Sequence, residues 1–192
     1  MIRLIYLHGF NSSPQTVKGR QLAAWLAPLA GRVAFDLPAL PHRPAQAIAL
    51  AEALINRHRD DDITLIGSSL GGYYATWLAE KFGLKAVFIN PAVLPERDLE
   101  QYLGPQRNLY TGEPYELTSA HLAEMRALRV AHITRPERYY LLVQTGDEVL
   151  DYREAVRYYA GAKQRVIEGG DHGFQEFERE IPEILKFAGW GA

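Results

Sequence analysis

The sequence predicts an α/β domain: a mostly parallel sheet of about six strands, helices on both faces and a lid-like insertion. Three observations carry this. Short, nearly unbroken apolar runs alternate with segments of helical spacing, the pattern that crossover connections produce. Glycines and prolines mark most of the joints between them. The 192 residues are enough for one domain with a substantial core, and the composition, 47% hydrophobic and 23% charged, is that of an ordinary globular domain. No internal repeat, low-complexity tract or linker divides the chain, so residues 1–192 read as a single unit.

The first run, "IRLIYL" (2–7), reads as a buried strand. "SSP" follows, with Ser13 placed to cap a helix and Pro14 to occupy its first turn. Val17, Leu22, Trp25, Leu26 and Leu29 then form an apolar face. "RVAFDL" (32–37) is a second strand, and the three prolines of "PALPHRP" force a loop after it. Residues 45–58 return to helical spacing through Ile48, Ala51, Leu54 and Ile55. "DITLIG" (62–67) is a third strand, followed by the helix "LGGYYATWLAEKFG", which Gly83 closes. "KAVFIN" (85–90), "RYYLLVQTG" (138–146) and "KQRVIEGG" (163–170) supply three more strands. Helices over 154–161 and 175–188 complete the pattern. Residues 91–137 break the rhythm, with short helices and turns but no convincing strand. An insertion of that length between sheet strands predicts a lid or binding loop, the plain alternative being a surface decoration.

Composition narrows the function. The net charge of -2, without a basic stripe, argues against nucleic acid and anionic membrane as partners. The absence of cysteine excludes a disulfide scaffold, a thiolate zinc site and a cysteine nucleophile. No stretch approaches the ~20 apolar residues of a membrane span, and "MIRLIYLHGF" lacks the marks of a leader peptide, so a cytoplasmic location is expected. His8, Asp36, Asp147 and His172 show no metal-ligand spacing, and neither a metal nor another cofactor is expected.

Chemistry is suggested by "LIGSSLGG". Only one register fits Gly-x-Ser-x-Gly: Gly67, Ser69 and Gly71, with Ser68 and Leu70 between them. A serine on a sharp strand-to-helix turn takes strained backbone angles, and the residues two places away on each side crowd each other. Glycine at both places relieves that crowding. The alternative is a tight turn that needs glycines and nothing more. A serine nucleophile also needs a base. Of six histidines, His172 stands in "EGGDHGF" after the last strand, where a base would reach the serine. The orienting carboxylate belongs after a late strand, and "LLVQTGDEVLD" offers Asp147, with Asp151 as its main rival. An oxyanion hole would use the Leu70 amide and one from "LHGFNSSP", where Gly9 permits close approach, Phe10 donates and His8 organises the loop. His42, Tyr102, Leu103, Tyr110 and Tyr115 are candidates for a substrate pocket.

With these residues in place, the chain resembles the α/β-hydrolase superfamily, and within it the YqiA-like bacterial esterases. The likeness runs through "YLHGFNSSP", "GSSLGGYYATWLAE", "NPAV", "YLG", "YTG", "QTGDEVLDY" and "VIEGGDHGF", nearly the whole chain. It implies a shortened sheet and hydrolysis of carboxylic esters or thioesters, acyl-CoA included, through an acyl-enzyme on Ser69, with Asp147 and His172 in the roles above. The partner expected is thus a small acyl ester or thioester. Two alternatives stay open: a binding protein that kept the fold without catalysis, and hydrolysis of another acyl bond, peptide or lactone. The oligomeric state is not legible.

Overall fold

The computed structural model describes residues 1–191. A six-stranded sheet is built from β1 (Ile2–Leu7), β2 (Val33–Asp36), β3 (Asp62–Ser68), β4 (Lys85–Ile89), β7 (Tyr139–Gln144) and β8 (Lys163–Ile167). Its order is β2-β1-β3-β4-β7-β8, and every neighbouring pair is parallel. Parallel pairing of consecutive strands needs a crossover, and the helices provide it. One face carries α1 (Val17–Leu26) and α7 (Ile181–Phe187), packed through Leu22, Leu26, Ile181 and Ile184 onto Leu4, Tyr6, Ile66 and Val87. The other carries α2 (Pro44–Arg57), α3 (Leu70–Phe82), α5 (Ser119–Ala127) and α6 (Tyr152–Tyr158) over Ile5, Leu65, Phe88 and Leu141. The apolar runs of the central strands are continuous because both of their faces are covered. Among the described residues no helix is long and apolar enough to cross a membrane.

Several boundaries differ from expectation. Helix α1 begins three residues beyond Pro14, because Thr16 caps it instead of Ser13: the Thr16 hydroxyl accepts from the Gly19 amide at 3.0 Å. Ser13 closes a turn one step earlier, accepting from Gln15 N at 3.0 Å. Val17 and Trp25 lie off the buried face of α1 and are exposed. Helix α6 starts earlier than expected, at Tyr152, where Asp151 caps it by accepting from the Arg153 amide. The final helix is split into a 3-10 turn, Phe177–Glu180, followed by α7, with Pro182 in the first turn of α7.

The insertion does hold strands. After α4 (Pro95–Asp98), β5 (Gly104–Arg107) and β6 (Pro114–Leu117) form an antiparallel hairpin outside the main sheet. Strands of four residues, each carrying a proline, are too short for an apolar period to be read: β5 has none and β6 only Tyr115 and Leu117. Polar contacts tie the hairpin to the loop after β1. Asn108 Nδ2 donates to Ser12 O at 2.8 Å, Leu109 N to Asn11 O at 3.0 Å, and Tyr115 Oη to Asn11 Oδ1 at 2.6 Å.

Candidate active site

Strand β3 ends on a turn that its glycines make possible. A Cβ at Gly71 would fall 1.9 Å from the Leu7 carbonyl oxygen, and one at Gly67 would fall 2.4 Å from that of Gly71. Strand β1, strand β3 and the start of α3 therefore touch backbone to backbone. Gly71→Ala is expected to cost on the order of 3 kcal/mol, because the clash is with main chain that cannot turn aside. A urea titration would measure this, and a variant as stable as the parent would show that the turn relaxes freely.

Ser69 sits at the apex with φ 54° and ψ -122°, a strained conformation for a residue with a side chain. Backbone contacts fix it there: its amide donates to Ile89 O at 3.1 Å, and its carbonyl accepts from Gly72 and Ala92. The Ser69 side chain meets the carboxyl end of the sheet, as the topology of an open parallel sheet favours.

His172 reaches this serine from the loop after β8. Its Nε2 lies 3.1 Å from Ser69 Oγ, and its Nδ1 lies 3.0 and 2.9 Å from the two oxygens of Asp147. The tautomer that satisfies the network places the proton on Nδ1, donating to Asp147, and leaves Nε2 to accept from the serine hydroxyl. Only 1% of the Asp147 side chain is exposed, and Oδ1 also accepts from the amides of Val149 and Leu150, each at 2.9 Å. Asp151 is occupied in capping α6 and does not join this chain of contacts.

Two buried amides that the sequence reading passed over set the geometry. Asn90, at the end of β4, accepts from Gln144 N at 3.0 Å and donates to the carbonyls of Asp171 and His172 at 3.0 and 3.2 Å. Gln144, at the end of β7, accepts from Asp171 N and Gln175 N and donates to Gln175 O. Together they lash the histidine loop to the sheet. Gly170 packs so closely here that a Cβ would fall 2.0 Å from Gln144 Oε1. Glu148 adds an acceptor for the His172 amide at 3.0 Å. A polar amide ending an otherwise apolar strand was the available signal for Asn90 and Gln144, since a buried amide group must find partners.

The loop after β1 faces the same point. A Cβ on Gly9 would lie 3.1 Å from Ser69 Cβ, so the backbone at residues 9 and 10 lies against the serine. The Leu70 amide belongs to the first turn of α3, where helical N–H groups have no acceptor within the helix. His8 accepts from Leu40 N through Nε2 at 3.0 Å and contacts Gly9 O through Nδ1 at 3.1 Å, bridging this loop to the proline-rich one. Burial holds its pKa below the usual imidazole value.

The pocket candidates are divided among separate spaces. Ser69, Phe10, Leu70 and His172 line a cleft of about 520 Å³ with Pro95, Leu99, Tyr102 and Leu150. Tyr102 is thus at the serine, and Tyr110 reaches it from a second side. His42 and Tyr115 belong instead to a neighbouring hollow of about 400 Å³ that touches Leu70 but not Ser69. There they stack at 4.4 Å, and His42 Nδ1 pairs with His121 Nε2 at 2.9 Å. Burial, followed by the charges of His42 and Arg43, lowers the pKa of His121. Leu103 is 44% exposed and lines none of these three spaces. Among the described residues no cluster of three or more histidine or acidic side chains could hold a metal ion.

A parallel sheet carrying a serine on a glycine-bounded turn between β3 and α3 defines the α/β-hydrolase fold. Solved structures of that class superpose on it. A proposed hydrolase from Agrobacterium vitis S4 is 20% identical, with 97% of this chain and 87% of that one covered and a TM-score of 0.76. Mouse alpha/beta hydrolase domain-containing protein 10 is 15% identical, covering 96% and 89%, with a TM-score of 0.69. Est1E from Butyrivibrio proteoclasticus with ferulic acid bound is 17% identical, covering 97% and 87%, with a TM-score of 0.67. At these identities the likeness is one of fold. The chain itself belongs to the uncharacterised protein family UPF0227, whose model matches residues 3–189, in agreement with the YqiA-like resemblance of its motifs.

Proposed function

We propose that this protein is a serine hydrolase that cleaves carboxylic esters or thioesters. His172 Nε2 takes the proton of Ser69 Oγ as that oxygen bonds to the acyl carbon, and the carbonyl electron pair moves onto its oxygen. The Leu70 and Phe10 amides hold that oxyanion. The imidazolium then protonates the departing alcohol or thiol, the C–O or C–S bond breaks, and the acyl group stays on Ser69. Water, deprotonated by His172, attacks the acyl-enzyme and releases the acid with the serine restored. Asp147 keeps the imidazole in the required tautomer throughout and stabilises its cation.

One observation supports this reading above the rest: the unbroken contact chain from Ser69 Oγ through His172 to the buried Asp147 carboxylate, opening on a cleft. A binding module would have no use for that chain. Pro95, Leu99, Val149 and Leu150 give the cleft apolar lining that suits an acyl group, and a small acyl ester or thioester, acyl-CoA among them, is the proposed substrate class. The sequence without cysteine accords with the reducing cytoplasm.

The test is a panel of p-nitrophenyl esters and acyl thioesters of graded chain length, run beside peptide and lactone substrates, with and without EDTA. Ester or thioester turnover insensitive to EDTA is expected. Turnover confined to peptides or lactones would move the protein to another acyl bond.

A further inference from the structure

Two clefts meet at Ser69, and the mechanism above uses only the larger one. The second, about 250 Å³, lies at the start of α1 and is lined by Tyr6, Thr16, Lys18 and Tyr110 as well as Ser69 and His172. Its chemistry is different. Lys18 is partly buried, and its ammonium donates to Gly173 O at 2.7 Å, leaving two of its three N–H donors uncommitted to that bond. Among the described residues no carboxylate lies within ion-pair distance of it. Burial pushes its pKa down to about 8, against the opposing pull of Asp171 and Asp147. An ammonium in that condition gains from any anion that can approach it.

A further feature favours the same charge. Val17 and Lys18, the first two residues of the ten-residue helix α1, both line the cleft. The N–H groups of a first helical turn carry the positive end of the helix dipole. Thr16 Oγ1 serves the Gly19 amide and not theirs.

Resting on the serine-hydrolase reading, we propose that this cleft is an anion subsite, and that the substrate is an acidic ester whose carboxylate or phosphate group is held by Lys18 while its carbonyl meets Ser69. The larger cleft would take the other part of the molecule. Lys18 is then a specificity-determining residue. The competing role is structural: by holding Gly173 O it would brace the His172 loop, with no preference among substrates.

Binding can be measured without catalysis. Calorimetry on Ser69→Ala protein would use monomethyl succinate and phenyl phosphate as probes, which separates a carboxylate from a phosphate source. At least one is expected to bind, with Lys18→Met weakening it about tenfold or more and Lys18→Arg keeping most of it. Failure of both probes to bind would overturn the subsite. In active protein, p-nitrophenyl hemisuccinate is compared with p-nitrophenyl butyrate. Lys18→Met is expected to raise KM for the acidic ester about tenfold while the neutral ester keeps its rate. Equal losses on both would make Lys18 a brace and overturn the proposal. If neither ester turned over while the probes still bound in a Lys18-dependent way, the anion subsite would stand and the serine-hydrolase reading would fall.

Discussion

Ser69→Ala is expected to lower ester turnover by about 10⁴-fold or more, while the protein stays folded. The size follows from what is removed. Without Oγ there is no acyl-enzyme, and only the oxyanion donors and substrate positioning remain to assist water. The fold should be spared, because the backbone at position 69 is set by the contacts of its amide and carbonyl with Ile89, Gly72 and Ala92, which alanine keeps. Ser68 is the matched control: it is buried one residue earlier, on β3, and it is Ser69, not Ser68, whose hydroxyl meets His172 Nε2. Turnover by Ser69→Ala at the parental rate, in a preparation free of other esterases, would remove the serine from the reaction.

Asp147→Asn is expected to be nearly as damaging, about 10⁴-fold in kcat, through a different cause. An amide at this position can present N–H to His172 Nδ1, which then must accept and places its proton on Nε2. That tautomer cannot take a proton from Ser69. Asp151→Asn provides the contrast. Asparagine caps a helix about as well as aspartate, so α6 should persist and the rate should hardly change. The pair of variants assigns the carboxylate by kinetics, and a result in which Asp151→Asn falls and Asp147→Asn does not would reverse the roles.

Much of this site was legible because its parts are local in sequence. The glycines of "GSSLGG" announce a turn whose crowding is a property of a few adjacent residues, and the backbone overlap at Gly67 and Gly71 has that origin. His172 was legible from its loop, and the alternation of apolar runs from their double burial. Choosing between Asp147 and Asp151 was harder, since both follow the same strand and only three-dimensional contacts separate a capping carboxylate from one buried against an imidazole. Asn90 and Gln144 escaped notice because their partners lie as much as 82 residues away, and no short spacing reports such a contact. The β5–β6 hairpin escaped because each strand has four residues, too few for the alternation of Tyr115 and Leu117 to stand out as a period. Leu103 and the His42–Tyr115 stack show the limit of reading a pocket from composition: aromatic and apolar residues near an insertion face several spaces, and not all of these are at the serine.

The strain at Ser69 gives the asparagine and glutamine a purpose. If Ser69 is the nucleophile proposed here, held at φ 54°, its hydroxyl meets the base in one place only if that partner is held as firmly. Asn90 and Gln144 supply that for His172 by tying its loop to the ends of β4 and β7, so the sheet positions both members of the pair.

The most direct measurement is labelling by a fluorophosphonate, followed by peptide mapping. Such a probe bonds covalently only to a serine that a neighbouring base has activated. One label per chain is expected, on the peptide containing Ser69, lost in Ser69→Ala and strongly slowed in Asp147→Asn. Folded protein that takes no label, or takes it at another residue, would contradict the assignment of Ser69, His172 and Asp147 as a working triad.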